Sequence, residues 1–151
     1  MIVPDVNLPL YAVDESNPFH AKAKRWLEGL LNGREEVGFC HPVVFAFILL
    51  STHRKVFRNP LSVEEAFAYL EEWLEQPVCR LLMPPLSQMD DVKKLLLQSA
   101  SAGGNLVTDA QIASIALFFK ATVHTADRDF LRFDSLKCFF SWRADSFGAG
   151  R

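Results

Sequence analysis

The chain of 151 residues is poor in cysteine and has no long apolar run. Its three cysteines, Cys40, Cys79 and Cys138, are odd in number, lie far apart and fit neither a CxxC pattern nor a Cys/His zinc spacing. We therefore expect buried, reduced thiols rather than disulfides. The longest apolar run, residues 43–50, has eight residues, well below the roughly 18 that a membrane span requires. Because a signal-peptide pattern is also lacking, we expect a soluble, cytoplasmic protein.

The chain also has little net charge. It has 16 Lys and Arg residues and 18 Asp and Glu residues, which gives a formal net charge of −2 at pH 7. Binding to a polyanion would therefore need a local basic patch or bridging metal ions. No GxxxxGK[ST] loop, GxGxxG fingerprint or nucleophile elbow is present, which argues against several common α/β chemistries. Thirteen phenylalanines hint at apolar surface for a partner or a second copy.

Short apolar runs alternate with amphipathic helical patterns along the chain. The strand candidates are residues 1–6, 37–40, 79–83, 122–125 and 137–142. The helix candidates are residues 8–13, 16–33, 42–51, 61–77, 86–100 and 108–121. This alternation is typical of a mostly parallel sheet covered by helices on both faces. It predicts an α/β protein with a single domain over residues 1–142 and a flexible tail at 143–151.

Several details of these elements are also predicted. Pro4 belongs at the last pairing position of the first strand, and Pro18 in the first turn of a helix capped by Ser16 or Asn17. Ser62 and Glu65 form a capping box. Residues 43–50 are apolar on every side, which predicts a buried helix. The stripes predicted to face inward include Ala23, Trp26, Leu27, Leu30 and Leu31; Phe67, Leu70 and Leu74; Met89, Val92, Leu95 and Leu96; and Ile112, Ile115, Ala116 and Phe119.

Four aspartates stand at the predicted carboxyl edge of the sheet. Asp5 ends the first strand, Asp109 starts a helix, and Asp127 and Asp129 follow the TVHT strand. Ligands of such sheets lie outside the carboxyl ends of the strands. Carboxylates that converge there repel one another unless a hard cation such as Mg²⁺ neutralises them. Such an ion polarises a phosphoryl oxygen and lowers the pKa of bound water, so the pattern indicates metal-dependent phosphodiester hydrolysis.

Each acid also has an ordinary structural explanation. Asp109 can stabilise a helix N-terminus beside Thr108, whose hydroxyl would form a capping box with Gln111. Asp127 and Asp129 can form Asx turns. Asp5 has no basic neighbour in the sequence, and a purely structural hydrogen-bonded role is less easily assigned to it.

At these residues the chain resembles a known family. The segments MIVPDVN, NLVTDAQIA and TVHTADRDF resemble, in order and spacing, the three acidic motifs of the PIN-domain family, in particular its VapC-like ribonuclease toxins. The resemblance implies a three-layer α/β/α fold, RNA cleavage that depends on Mg²⁺ or Mn²⁺, an antitoxin protein as partner, and a homodimer. The residues it implies are Asp5, Asp109 and Asp127 as catalytic metal ligands, Asp129 as a fourth ligand, and Asn7, Thr108 and Thr125 as supporting polar groups.

The chain departs from the family pattern in its third helical segment. Many members have a glutamate where Ala46 stands, and a basic residue where Leu49 stands. This departure motivates an alternative function, a catalytically impaired PIN-like module that binds RNA or a protein. A phosphohydrolase with Asp5 as nucleophile is a further alternative, although Asn7 replaces the second acid that it would need.

Basic residues supply candidate contacts to the RNA backbone. His53, Arg54, Lys55 and Arg58 form one group, and Arg128 and Arg132 flank the last acidic motif. For the first group, a solvated basic loop is the simpler interpretation. His20 and His124 are expected to be ordinary helix and strand residues, because hard Mg²⁺ prefers oxygen ligands.

Overall fold

The computed structural model describes residues 1–100, 103–104 and 106–141. Its strands are β1 (Ile2–Pro4), β2 (Val37–Cys40), β3 (Cys79–Leu82), β4 (Thr122–Thr125) and β5 (Cys138–Phe140). Its helices are α1 (Asn7–Val13), α2 (His20–Leu31), α3 (His41–Ser51), α4 (Val63–Leu74), α5 (Gln88–Gln98) and α6 (Leu106–Phe118), with a short 3-10 helix at Arg128–Arg132.

The five strands form one sheet in the order β3-β2-β1-β4-β5, and all pairs are parallel. Parallel strands need crossover connections, which the helices provide. The predicted three-layer α/β/α fold with a parallel central sheet is therefore confirmed. The domain bounds of 1–142 stay a prediction, and the proposed tail at 143–151 lies outside the described residues.

The central strand β1 places the first acid at the sheet edge. The strand is buried over its whole length, and its register sets Ile2 opposite Thr122 and Pro4 opposite His124. Pro4 occupies the last pairing position, as predicted, where its missing N–H is tolerated. The next residue, Asp5, donates its N–H to the carbonyl of His124 at 2.8 Å. The hydrogen-bonded pairing of β1 with β4 therefore ends at Asp5.

Two helix starts show how local side chains set element boundaries. Ser62 and Glu65 form the predicted capping box: Ser62 Oγ accepts from the Glu65 N–H at 3.1 Å, and Glu65 Oε2 accepts from the Ser62 N–H at 2.7 Å. The predicted start of α2 at Pro18 is wrong. The Asn17 side chain accepts from the Phe19 N–H at 2.8 Å, which holds a turn, and the helix begins only at His20.

The expectation that α3 is buried on all sides is also wrong. Val43, Val44 and Phe47 are buried, whereas Phe45 and Leu49 are each 62% exposed. The helix packs on β2, α1, α4 and α6, and these neighbours leave its outer face uncovered. An apolar helix has no polar face to fix its rotation, so its composition predicts contact with the core but not which residues make it.

Two of the predicted stripes each include a residue that is exposed. Met89 of α5 is 81% exposed, and Phe67 of α4 is 42% exposed. In α4, the small side chain of Ala66 lies inward instead, together with Leu70 and Trp73.

The core lies between the sheet and these helices, and parts of it are tightly packed. The rings of Phe39 and Phe47 lie 6.0 and 5.1 Å from that of Trp73. On β2, a Cβ atom at Gly38 would lie 2.4 Å from Leu82 Cδ1, so only glycine fits there without displacing a buried side chain. Over the ranges described above, no helix combines the length and the apolar character needed to cross a bilayer.

Candidate metal centre

The acidic residues meet where β1 and β4 end, as the sheet topology predicts. These two strands are hydrogen-bonded neighbours, so Asp5 after β1 and Asp127 after β4 reach the same carboxyl edge. Helix α6, which leads into β4, contributes Asp109 from its first turn. Segments more than 100 residues apart in the chain therefore converge on one site.

Three carboxylates form the closest group. One oxygen each from Asp109, Asp127 and Asp129 lies within 4.8 Å of the other two, a spacing that one cation can bridge. Asp5 lies outside this group of three among the described residues. The structure thus brings three of the four predicted ligands together and sets the fourth beside them.

A single hydroxyl connects Asp5 to the group. Thr125 is fully buried, and its Oγ1 donates to Asp5 Oδ2 at 2.7 Å and accepts from the Asp127 N–H at 2.9 Å. The other oxygen, Asp5 Oδ1, accepts from the Val6 N–H at 2.7 Å. Both Asp5 oxygens are therefore fixed, and Thr125 sets the position of Asp5 relative to Asp127.

The structural explanations of the acids are partly borne out. Asp127 Oδ1 accepts from the Asp129 N–H at 2.9 Å, which is the Asx-type contact expected at a helix start. Asp129 also lies 3.7 Å from Arg132 Nε. The capping box of Thr108 with Gln111 is wrong, because α6 begins at Leu106 and Thr108 lies inside its first turn.

Burial and mutual repulsion raise the pKa values of two of the crowded acids, Asp5 and Asp109. Burial raises the pKa of Asp5 from 3.8 to about 6, and Asp127 adds to the rise, while Thr125 and the Val6 N–H oppose it. Burial, with repulsion from the other three acids, raises the pKa of Asp109 from 3.8 to about 7. An all-oxygen donor set with excess negative charge fits a hard divalent cation such as Mg²⁺ or Mn²⁺.

Helix α1 adds polar groups to this site. The Asn7 side chain lowers the pKa of Asp5 by hydrogen bonding, and Asn7 Oδ1 is buried with no partner in the part of the chain that the structure describes. Tyr11, one turn later, was missed by the sequence analysis. Burial raises the pKa of its hydroxyl, and so do the charges of Asp5 and Asp127. The spacing of four residues from Asn7 is the signal that could have found it.

The remaining predicted site residues lie in two places, after α3 and beside the acids in sequence. Arg54, Lys55 and Arg58 are exposed in the turns after α3. That helix starts at the carboxyl end of β2 and has 11 residues, so about 16 Å of helix separates the basic loop from this strand end. Thr108 and Arg128 are exposed near the acids in sequence. All four basic residues stay predicted RNA contacts.

Comparison with known proteins agrees with this geometry. The family model described as PIN domain matches residues 2–136. Ribonuclease VapC33 of Mycobacterium tuberculosis is 37% identical over 137 residues, which cover 91% of this chain and 95% of the relative. Ribonuclease VapC37 of the same species is 34% identical, with 91% and 94% covered. The chain belongs to the PIN-domain family.

Solved structures give the same fold. FitAcB from Neisseria gonorrhoeae superposes with a TM-score of 0.66 at 22% identity, and the match covers 94% of this chain and 99% of that one. VapBC2 from Rickettsia felis, bound to a DNA fragment from its promoter, has a TM-score of 0.66 at 21% identity, with 93% and 98% covered. The predicted resemblance to VapC-like ribonuclease toxins is confirmed.

Proposed function

We propose that this protein is a metal-dependent endoribonuclease and the toxin of a toxin-antitoxin pair. The observation that carries the proposal is the group of three carboxylates within 4.8 Å of one another, with a fourth joined to it through Thr125. The curated relatives named ribonucleases support RNA as the substrate.

Asp109, Asp127 and Asp129 would hold Mg²⁺ or Mn²⁺, with Asp5 as a further ligand. When bound, such an ion supplies Lewis-acid activation of the phosphodiester and of a water molecule. Thr125 holds the Asp5 carboxylate in place through its hydrogen bond. Asn7 and Thr108 supply polar contacts around this group.

The impaired-module alternative loses its main argument. It rested on Ala46, which replaces a glutamate of many relatives, but the three-carboxylate group forms entirely from α6 and the segment after β4. Helix α3 need not contribute an acid for three carboxylates to meet.

An antitoxin protein is the proposed partner. The VapBC assemblies among the solved structures support this, and the exposed Phe45 and Leu49 offer apolar surface for it. A homodimer and a cytoplasmic location stay predictions, the latter from cysteine usage.

The test is cleavage of labelled structured RNA by purified protein with added Mn²⁺ or Mg²⁺, and with chelator in place of the metal. We expect cleavage that requires the metal. Asp5→Asn should reduce the rate roughly 10²-fold or more, the range for removing one electrostatic group from an active site. Asp134→Asn, at an exposed loop position, is the matched control and should retain the rate. Metal-independent cleavage, or full activity of Asp5→Asn, would refute the proposal.

A further inference from the structure

A shallow cleft lies between α2 and the edge strand β5. Its volume is about 340 Å³, and its lining consists of Lys22, Arg25, Trp26, Phe139 and Ser141. We refer to these five residues as the basic aromatic cleft. None of them belongs to the acidic group or to the basic residues predicted from the sequence.

The floor of the cleft is aromatic. The ring of Phe139 lies 4.8 Å from that of His124, at an interplanar angle of 35°. The ring of Trp26 lies 6.0 Å from that of His124. Burial lowers the pKa of His124. Phe139 remains 54% exposed, which leaves a ring face open at the surface.

The rim of the cleft is cationic. Lys22 and Arg25 are three residues apart on α2, and both are exposed, so they project from the same side of the helix. A hollow that shares Trp26 and Phe139 continues toward Arg34 and Glu35. The Glu35 carboxylate there accepts from the N-terminal amino group at 3.4 Å. Lys22 and Arg25 therefore place two basic side chains at the rim.

The cleft is linked to Asp5 through two hydrogen bonds. The Ser141 N–H donates to the carbonyl of Thr125 at 3.1 Å, and Thr125 Oγ1 donates to Asp5 Oδ2 at 2.7 Å. Ser141 Oγ is buried and has no hydrogen-bond partner within the described ranges. An unpaired hydroxyl costs free energy that a polar ligand group can offset.

We propose that the basic aromatic cleft binds single-stranded RNA next to the cleaved bond, with one base stacked on Phe139 and a phosphate between Lys22 and Arg25. Stacking on an exposed ring suits any base, because every base has a π face. Cations beside the ring bind the backbone without reading sequence. The inference rests on the proposed function, since it assigns part of the substrate path of the same enzyme.

The test is binding of a fluorescein-labelled single-stranded RNA of about 12 nucleotides, within the range that one single-strand site covers. Anisotropy is measured in EDTA at several salt concentrations, so that cleavage does not occur. Lys22→Gln/Arg25→Gln should weaken binding and reduce the salt slope of log K by about 0.7, since this is the contribution of one lost phosphate contact on a single strand. Phe139→Ala should weaken binding roughly fivefold to a hundredfold.

The matched control is Lys24→Gln/Lys120→Gln, which removes the same charge. Lys24 is exposed on α2 but does not line the cleft, and Lys120 precedes β4, at the opposite edge of the sheet from the acids. This control should keep the wild-type salt slope. Circular dichroism checks that Phe139→Ala is folded. Lys22→Gln/Arg25→Gln changes two exposed residues and provides an independent test of the cleft.

The outcomes separate this inference from the proposed function. If the wild type cuts RNA with Mn²⁺ but both cleft variants bind like wild type, the cleft assignment is overturned and the nuclease proposal stands. If the variants change the oligomeric mass in sedimentation without changing RNA affinity, the cleft is a contact between copies and the inference is again overturned. Wild-type protein that neither binds RNA in EDTA nor cuts it with metal refutes both.

Discussion

Replacing Asp109 by asparagine should stabilise the metal-free protein while it abolishes cleavage. The side chain is half-buried in the first turn of α6, and asparagine keeps its shape without its charge. In the absence of metal, Asp109 adds a negative charge to a site where Asp5, Asp127 and Asp129 already repel it. Removing that charge relieves the repulsion but also removes a proposed ligand.

The magnitude follows from the shift in pKa. The pKa of Asp109 rises from 3.8 to about 7, and each unit corresponds to about 1.4 kcal/mol, so ionisation costs the folded state at most about 4 kcal/mol. Solvent reaches part of this carboxylate, and we therefore expect a measured gain of about 1–3 kcal/mol at pH 8. For a domain of this size that is a rise in Tm of roughly 2–12 °C.

The pH dependence has a definite sign. A carboxyl whose pKa is higher in the folded than in the unfolded state binds more protons when folded between the two values. The stability of the wild type therefore falls as pH rises from about 4 to about 7. The advantage of Asp109→Asn should be absent near pH 4 and reach its full size above pH 7.

The assay is urea unfolding of wild type and Asp109→Asn in EDTA at pH 4 and pH 8, repeated at pH 8 with Mn²⁺. The control Asp134→Asn, at an exposed position, should change stability by less than about 0.5 kcal/mol. Added metal should stabilise the wild type and should stabilise Asp109→Asn much less. A variant that is less stable than wild type in EDTA at pH 8 would show that the acids do not repel one another as described.

Three further predictions concern the surroundings of the acids. Thr125→Val removes the hydroxyl between Asp5 and Asp127. It should destabilise the protein by about 1–3 kcal/mol in urea unfolding and weaken metal binding in calorimetry. Thr125→Ser keeps the hydroxyl and should retain both stability and metal binding. Gly38→Ala places a Cβ 2.4 Å from Leu82 Cδ1 and should cost about 1–3 kcal/mol by thermal unfolding, without loss of metal binding. The apparent metal affinity of the wild type should fall as pH drops from 8 to 5, because protons compete for carboxyls whose pKa values are about 6 and about 7.

The sheet could be predicted because its strands are short apolar runs bounded by helical patterns. Even the position of Pro4 at the end of β1 followed from its missing N–H. The helix faces were harder to predict. In α3 nearly every residue is apolar, so the sequence does not show which face of the helix is buried. Only the packing against four neighbouring elements determines that Phe45 and Leu49 face outward.

The sequence predicts which residues of the site lie at the carboxyl edge of the sheet. The carboxyl ends of parallel strands lie at the same edge of a sheet, so Asp5 and Asp127 were expected at one edge. The position of Asp5 outside the group of three depends on the register of β1 and on the rotamer of Thr125, neither of which a sequence pattern fixes. The placement of each ligand on a metal stays a prediction. The basic aromatic cleft was not foreseen because its residues come from separate elements and form no motif.

The hydrogen bond between Thr125 and Asp5 spans 120 residues of chain. During synthesis, the first acid leaves the ribosome long before the threonine that orients it and the strand that pairs with β1. A chain under synthesis therefore cannot fix Asp5 in this position until Thr125 has been added. The same topology leaves any fragment that ends before β4 without Asp127 and Asp129, two of the three clustered acids.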